Sequence, residues 1–504
     1  MDKLKHLLSK YSNELYLSGI LFLSAFLRLD HTSLRPLWLD EADIANLLSV
    51  PLANSWSVLV NSAQNATYFY VLRTWSLCFG NSEMGIRSLS VFFSLLSIIV
   101  IYKFGVRLNG KKTGLWASFL LSVNYFSIFY AIQARQYSLV ILLSILSYYY
   151  FYGLLNDFNY KKLTAYIFFT VFGVYSHPWF ILILGSQFIC LLFNSGHKKV
   201  EVIFSQVLIF ILSVPWLIIL WNHKIDGANN WIGLTKISTL FSTFHYFMYG
   251  ATGVFIIGGI IACFFVLGRV EETETMINYR FNYFNYHQIS SKIYLLFSYL
   301  FFPLFIAIAI GHFIPFYEPG RYEAVVLPAF ILLFASLWSK IKSNCFASVL
   351  ILLLIIFSYQ EVLNEKKDIQ NQKIDNRTTT IDFLANSQNG DWVVFTGLSR
   401  PPIDYYLTRF NSENKIFKEV SFPADITEHQ AYQNNEKINK NLNQIKISSE
   451  TLIGEIKKSS HGRVWLVFTQ DNPIGPLLEK KFQENFTLDS YLPGPSFALI
   501  LYKF

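Results

Sequence analysis

The chain has 504 residues, of which 53% are hydrophobic, 18% aromatic and only 15% charged, with 48 Phe and 30 Tyr. That balance, with a mean hydropathy of +0.36, excludes a soluble enzyme built on one globular core. The net charge of +8 lies wholly in residues 1–364, which carry 24 basic and 16 acidic side chains, whereas residues 365–504 carry 17 of each. It forms no basic stripe of the kind that grips nucleic acid, so no nucleic-acid partner is expected.

Lys3, Lys5 and Lys10 precede an apolar run with no small-residue cleavage site after it, which predicts an uncleaved first span from Asn13 to Asp30. A long loop, residues 31–87, follows. It opens with Leu37–Asp43, Leu-Trp-Leu-Asp-Glu-Ala-Asp, which sets Asp40, Glu41 and Asp43 within four residues. Carboxylates among apolar residues at a membrane face suit general acid or base work, and a helix N-cap is the plainer alternative. Thr67–Phe79 is apolar but too short to cross comfortably and carries Arg73, so it is expected to lie flat at the interface. Further spans are predicted near 88–106, 113–131, 137–155, 162–176, 178–194, 200–221, 241–267, 293–311, 322–338 and 345–363.

With the N-terminus inside and Thr67–Phe79 not crossing, every second loop should be basic. Those loops hold Arg107, Lys111 and Lys112; Lys161 and Lys162; Lys198 and Lys199; Arg269, Arg280 and Lys292; Lys340 and Lys342. About eleven spans, with the C-terminus outside, is the consistent reading. The inner side has 16 basic residues, thirteen of them Lys, while six of the eight on the outer side are Arg: Arg28, Arg35, Arg73, Arg87, Arg135 and Arg321. Topology needs only charge, whereas a planar fork on phosphate oxygens needs Arg. Arg also snorkels well in apolar flanks. Six on the face of the acids point to a phosphate-bearing substrate.

From Glu365 onward Asn, Gln, Lys and Asp replace Phe and Leu. The chain therefore divides into 1–364, a transmembrane domain with its functional first external loop at 31–87, and 365–504, a small extracytoplasmic α/β domain. In the latter, Trp392–Phe395, Val464–Phe468 and Phe497–Tyr502 read as strands, and Pro401–Thr408 and Gly475–Phe482 as helices. The polar stretch Asp425–Lys458 is expected to be loop with one helix. No cysteine lies in this region to staple it. The chain has no internal repeat and no Gly-rich phosphate loop.

Five segments together carry a resemblance. Leu37–Asp43 resembles the Asp-Glu motif in the first external loop of GT-C glycosyltransferases, nearest the protein mannosyltransferase and lipid A aminoarabinose transferase group. Ser82–Ser90 (Ser-Glu-Met-Gly-Ile-Arg-Ser-Leu-Ser) resembles that group's Glu-x-x-x-Arg-Leu-Pro-Ser start of the second span. Arg107–Gly114 resembles its Arg-Leu-Phe-Gly-x-x-x-Gly turn. Tyr130–Tyr137 is similar to its Tyr-x-x-Glu-Ala-Arg-x-Tyr run, with Gln133 where an acid is usual. Gly320-Arg321-Tyr322, followed by Pro328, resembles its late Pro-Arg-Tyr segment. Asn65-Ala66-Thr67 stands where His-Pro-Pro is usual, and His177-Pro178 resembles a Thr-His-Tyr element; a buried capping histidine is the plainer reading of His177.

The resemblance implies a multi-pass protein of a cell membrane, of the bacterial inner membrane by expectation. It implies transfer of a sugar from a polyprenyl-phosphate carrier to a hydroxyl of a lipid, glycan or protein acceptor on the outer face, inverting the anomeric centre. Asp40 would be the general base and Glu41 an adjoining catalytic or acceptor-binding group. Arg135, Arg321, Arg87 and Tyr322 would hold the donor phosphate. Asp43, Arg73, Gln133, Tyr137 and His177 would contact or orient substrate. No cofactor is expected. A divalent cation stays open, with Asp40, Glu41, His31 and His177 as candidate ligands in no recognised spacing. Two other classes fit the membrane pattern: a transporter or flippase of lipid-linked sugars, favoured less because repeats are lacking, and a receptor sensing ligand through the C-terminal region.

Overall fold

The computed structural model describes residues 11–30, 32–62, 65–192, 199–225, 232–273, 276–281, 286–371, 375–396, 399–423, 441–459, 461–468, 474–494 and 497–504. Lys3, Lys5, Lys10, His31 and Lys198 lie outside them.

The first expected span is helix α1 (Ser12–Leu29). Loop 31–87 then folds into three short helices: α2 (Leu39–Leu47), α3 (Leu52–Ser62) and α4 (Ala66–Phe79). The last is the segment expected at the interface. It buries Tyr68, Phe69 and Leu72 and leaves Leu77 and Phe79 exposed. Helix α5 (Glu83–Asn109) starts on Ser82, whose hydroxyl accepts the Gly85 N–H, and stops at Gly110, where φ is +92°. Beyond it α6 (Lys111–Val123) returns against α5. The two backbones meet at Gly105 and Gly114, where a Cβ on Gly105 would come within 2.8 Å of the Gly114 Cα.

Asn124 ends α6 and begins α7 (Tyr125–Ala131), accepting the Ser127 N–H and donating to the Phe247 carbonyl. The expected 113–131 span is therefore a pair bent by 59°. Next come α8 (Tyr137–Asn156), α9 (Tyr160–Ser176), α10 (Phe180–Leu192) and α11 (Lys199–Ile225). Helices α12 (Thr239–Phe247) and α13 (Thr252–Leu267) replace the expected 241–267 span with a pair bent by 87°. Strands β1 (Gly268–Thr273) and β2 (Met276–Phe281) pair as a hairpin in the expected basic loop 269–292. Helix α14 (Tyr286–Gly311), a 3₁₀ turn (Tyr322–Val325) and α15 (Leu327–Trp338) follow. Seven of the eleven expected spans coincide with a helix or bent pair long and apolar enough to cross, whereas 13–30, 162–176, 178–194 and 322–338 fall on helices that are shorter or less apolar, the last broken by a 3₁₀ turn. Among the described residues five helices are long and apolar enough to cross a membrane, or seven if each bent pair is one span.

Helix α16 (Asn344–Asn371) runs through the composition break at 364/365 without interruption. Its polar end ties back to the first loop, to α7 and to the end of α1: Glu365 pairs with Arg35 at 3.5 Å and accepts the Tyr125 hydroxyl at 3.0 Å, and Lys366 pairs with Asp30 at 3.0 Å. The C-terminal region then orders as α17 (Asn376–Asn386), β3 (Trp392–Thr396), α18 (Arg400–Phe410), β4 (Lys418–Phe422), α19 (Leu442–Lys457), β5 (Arg463–Phe468), α20 (Ile474–Asn485), β6 (Thr487–Leu492) and β7 (Ala498–Lys503). The strands form a mixed sheet in the order β4-β3-β5-β7-β6, with β3 parallel to β4 and β5, and β7 antiparallel to β5 and β6.

Alternation along the strands sends their side chains to two apolar layers. Val394, Leu466 and Ile500 face α19 and α20, while Phe395, Trp465 and Leu499 face α17 and α18. The three expected strands and two expected helices are present. The additional edge strands β4 and β6 are polar and largely exposed, which is why they give no apolar run in the sequence.

Candidate active site

Helix α2 presents its acids in opposite directions. It begins at Trp38, an extended N-cap whose side chain makes no capping bond, and carries Asp40 and Glu41 in its first turn. Glu41 is fully buried and gripped along both oxygens by Arg87, Nε to Oε1 at 2.8 Å and Nη2 to Oε2 at 2.6 Å, while Oε1 also accepts the Ala134 N–H at 2.7 Å. The remaining Arg87 donors go to the carbonyls of Thr32, Arg35 and Pro36. All five guanidinium N–H groups are thereby used. Arg87 was expected on the donor phosphate; it is instead buried with Glu41 and has no donor left for one. Arg28 is consumed likewise by Ser94, Ser127 and the carbonyls of Ser24, Leu121 and Ser122.

Asp40 points the other way. Its side chain is 19% exposed, and one oxygen lies 3.3 Å from Arg135 Nη2, with Arg135 Nη1 donating to the Asp40 carbonyl at 3.2 Å. Asp43, one turn on, lies within the electrostatic reach of the same guanidinium. Burial works against the Arg135 charge, but Asp40 and Asp43 more than offset it, so its pKa is held above the ordinary value. Arg135 Nε is buried and has no hydrogen-bond partner, as is the Trp38 indole N–H. Arg321 stacks over that indole, Cζ to centroid 5.4 Å.

Two further segments close the group. Tyr137, at the start of α8, is within electrostatic reach of Asp40, Arg135 and Arg321. Its ring lies 6.2 Å from His177, which in turn lies 4.9 Å edge-on to Tyr322. His177 Nδ1 accepts the Trp179 N–H at 3.3 Å, the capping role. Burial first, and the Arg135 charge second, push its pKa down to about 3, so the imidazole is neutral at physiological pH. The turn that presents Arg321 depends on Gly320, where φ is +89° and whose carbonyl accepts the Tyr130 hydroxyl.

Asp40, Asp43, Arg135, Tyr137, His177, Arg321 and Tyr322 therefore come together from four distant parts of the chain. Gln133 is buried in the same turn as Arg135. Arg73 lies on α4 with its guanidinium 6.0 Å from the Phe69 ring, and nothing places it against Asp40. Among the described residues no three His, Cys, Asp or Glu side chains are grouped to hold a metal ion. Trp38 was missed as a site residue, although it stands two positions before Asp40 in the singled-out stretch.

The whole chain superimposes on the crystal structure of ArnT from Cupriavidus metallidurans in the apo state with a TM-score of 0.54, at 10% identity and over 97% of each chain. It superimposes on the same protein bound to undecaprenyl phosphate with a TM-score of 0.53, at 11% identity and again over 97% of each. The chain shares its fold with that protein. Residues 64–221 match the family model of dolichyl-phosphate-mannose-protein mannosyltransferases. That stretch includes Arg87, Arg135 and His177 and begins after the acid helix. A comparison with curated protein sequences gives no significant match.

Proposed function

We propose that this chain is an inverting glycosyltransferase that moves a sugar from a polyprenyl-phosphate carrier to an acceptor hydroxyl at the outer face of a membrane. The observation that supports the reading is the partly exposed Asp40–Arg135 pair, flanked by Arg321, in a fold shared with a protein that binds undecaprenyl phosphate. Asp40 takes the acceptor's hydroxyl proton as its oxygen attacks the anomeric carbon. The bond from that carbon to the phosphate oxygen breaks, and the lipid phosphate leaves carrying the electron pair. Arg135 and Arg321 supply fixed positive charge where the phosphate gains negative charge. His177 stays neutral and orients Tyr322 and Tyr137. Glu41 and Arg87 fix the helix that carries the base. The N-terminus lies in the cytoplasm and residues 365–504 lie outside.

Purified protein in bilayers, given a radiolabelled polyprenyl-phosphate sugar and envelope extract, should consume the donor and release polyprenyl phosphate. Donor that crosses the bilayer intact, with no release, would identify a flippase and overturn the reading.

A further inference from the structure

The C-terminal region does not merely follow the membrane helices; it grips the loop that carries the acids. Tyr406 on α18 is buried and touches two partners through its hydroxyl. It accepts the Leu37 N–H at 2.8 Å and donates to Glu83 Oε1 at 2.6 Å. The Leu37 carbonyl accepts the Asn376 side-chain amide at 3.3 Å, so the N–H and the C=O of Leu37 are both held, from α18 and α17. At the far end of α2, Asn46 donates to the Pro401 carbonyl at 2.9 Å. Glu83 also receives Arg377, Nη2 to Oε1 at 2.7 Å. Glu83 sits one helical turn before Arg87, the residue that clamps Glu41.

We infer that Tyr406 is a positioning residue: with Glu83 and Arg377 it latches the C-terminal region to Leu37 and so sets where Asp40 points. The inference rests on the proposed function for its catalytic consequence, and on geometry alone for the latch. Helix α2 has no side-chain cap at Trp38, so besides the Glu41–Arg87 pair its entry is held by the bonds that fix Leu37 just before it. The acids follow Leu37 by three and four residues, close enough for a loose Leu37 peptide to displace them. Misplacing a reacting group by about 1 Å costs on the order of 10²-fold in rate.

Tyr406→Phe keeps the ring that stacks on Phe410 and removes only the oxygen, leaving the Leu37 N–H without its acceptor. Two measurements on the full chain decide the matter. The expected result is faster amide hydrogen exchange over residues 37–47, with exchange in the C-terminal sheet unchanged, and a kcat lower by roughly 10- to 100-fold at unchanged donor KM. Glu83→Gln, which keeps an acceptor oxygen but weakens the hold on Arg377, should shift both readouts the same way by less, and serves if Tyr406→Phe does not fold. Unchanged exchange at 37–47 overturns the latch. Loosened exchange with wild-type kcat overturns the positioning role. A wild-type protein that turns over no donor would count against the proposed function alone, since the exchange measurement judges the latch without it.

Discussion

Asp40 and Glu41 are neighbours in sequence, but one residue of α-helix turns a side chain by about 100°, and that rotation separates a partly exposed carboxylate from a sealed one. Asp40→Asn is nearly isosteric and leaves Arg135 partly held through the Asp40 carbonyl. It should leave thermal unfolding unchanged while cutting transfer by about 10²–10⁴-fold, the usual cost of losing a general base. Asp43→Asn should be much milder. Glu41→Gln should behave in the opposite way. It strips charge from a buried, bidentate pair, and breaking such a pair costs about 3–5 kcal/mol, so yield and melting temperature should fall before catalysis can be assayed. An active Asp40→Asn protein beside a folded but inactive Glu41→Gln would move the base to Glu41. The arginines divide by the same reasoning. Arg28 and Arg87 have no donor left for substrate, whereas Arg135 keeps a buried N–H without a partner and Arg321 stacks beside it on Trp38. Arg135→Lys and Arg321→Lys keep the charge and lose the fork. Both should raise donor KM and lower kcat; near-normal kinetics in both would assign them to folding.

The apolar helices were legible because hydropathy and loop charge report directly on a bilayer, and the acid stretch because acids beside Trp38 stand out against an apolar background. Bent pairs were not: Asn124 and the turn before Thr252 break the helix without interrupting the apolar run, so periodicity sees one span. The split between Arg87 and Arg135 was also hidden, since an arginine's donors are allotted by tertiary neighbours and not by its spacing. Helix α18 was read as a helix, and its docking was invisible because Tyr405 and Tyr406 look like any aromatic pair. That docking helix has a titratable weak point. Burial pushes the Asp404 carboxyl up to about 6, with Glu419 adding to the rise and Arg400 opposing it. A carboxyl raised in the fold contributes stability below its unfolded pKa and loses it as pH climbs through the folded value. Between about pH 4 and pH 6 the folded state thus binds more protons than the unfolded chain. Asp404→Asn should therefore raise the melting temperature at pH 8 and change it little at pH 4. Equal effects at the two pH values would show that the carboxyl is not strained by burial.

At the scale of the whole chain, the loops expected in the cytoplasm converge on one end of the helices. Lys112 Nζ donates to the Ile341 carbonyl at 2.5 Å, Lys292 Nζ to the Leu108 carbonyl at 2.6 Å, and Asn109 Nδ2 to Ser336 at 3.0 Å. Arg107 lies over the Tyr149 and Tyr152 rings near the far end of α8, the helix that begins with Tyr137 at the acid site. One end of α8 therefore meets Asp40 and Arg135, and the other meets the basic loops. The helix has 20 residues, which at about 1.5 Å per residue spans about 30 Å, the thickness of a bilayer's hydrocarbon core. Positive loops are retained in the cytoplasm, so the acid site and the C-terminal region that grips it should both face outward. Lys111→Cys and Ser412→Cys, each in a background lacking the four native cysteines, place one probe at each end, and both positions are exposed. An impermeant maleimide added to intact cells should label the Ser412 position at once and the Lys111 position only after the membrane is opened. Labelling of both from the same side would invert or break the topology, and would take with it the assignment of Asp40 to an outer-leaflet donor.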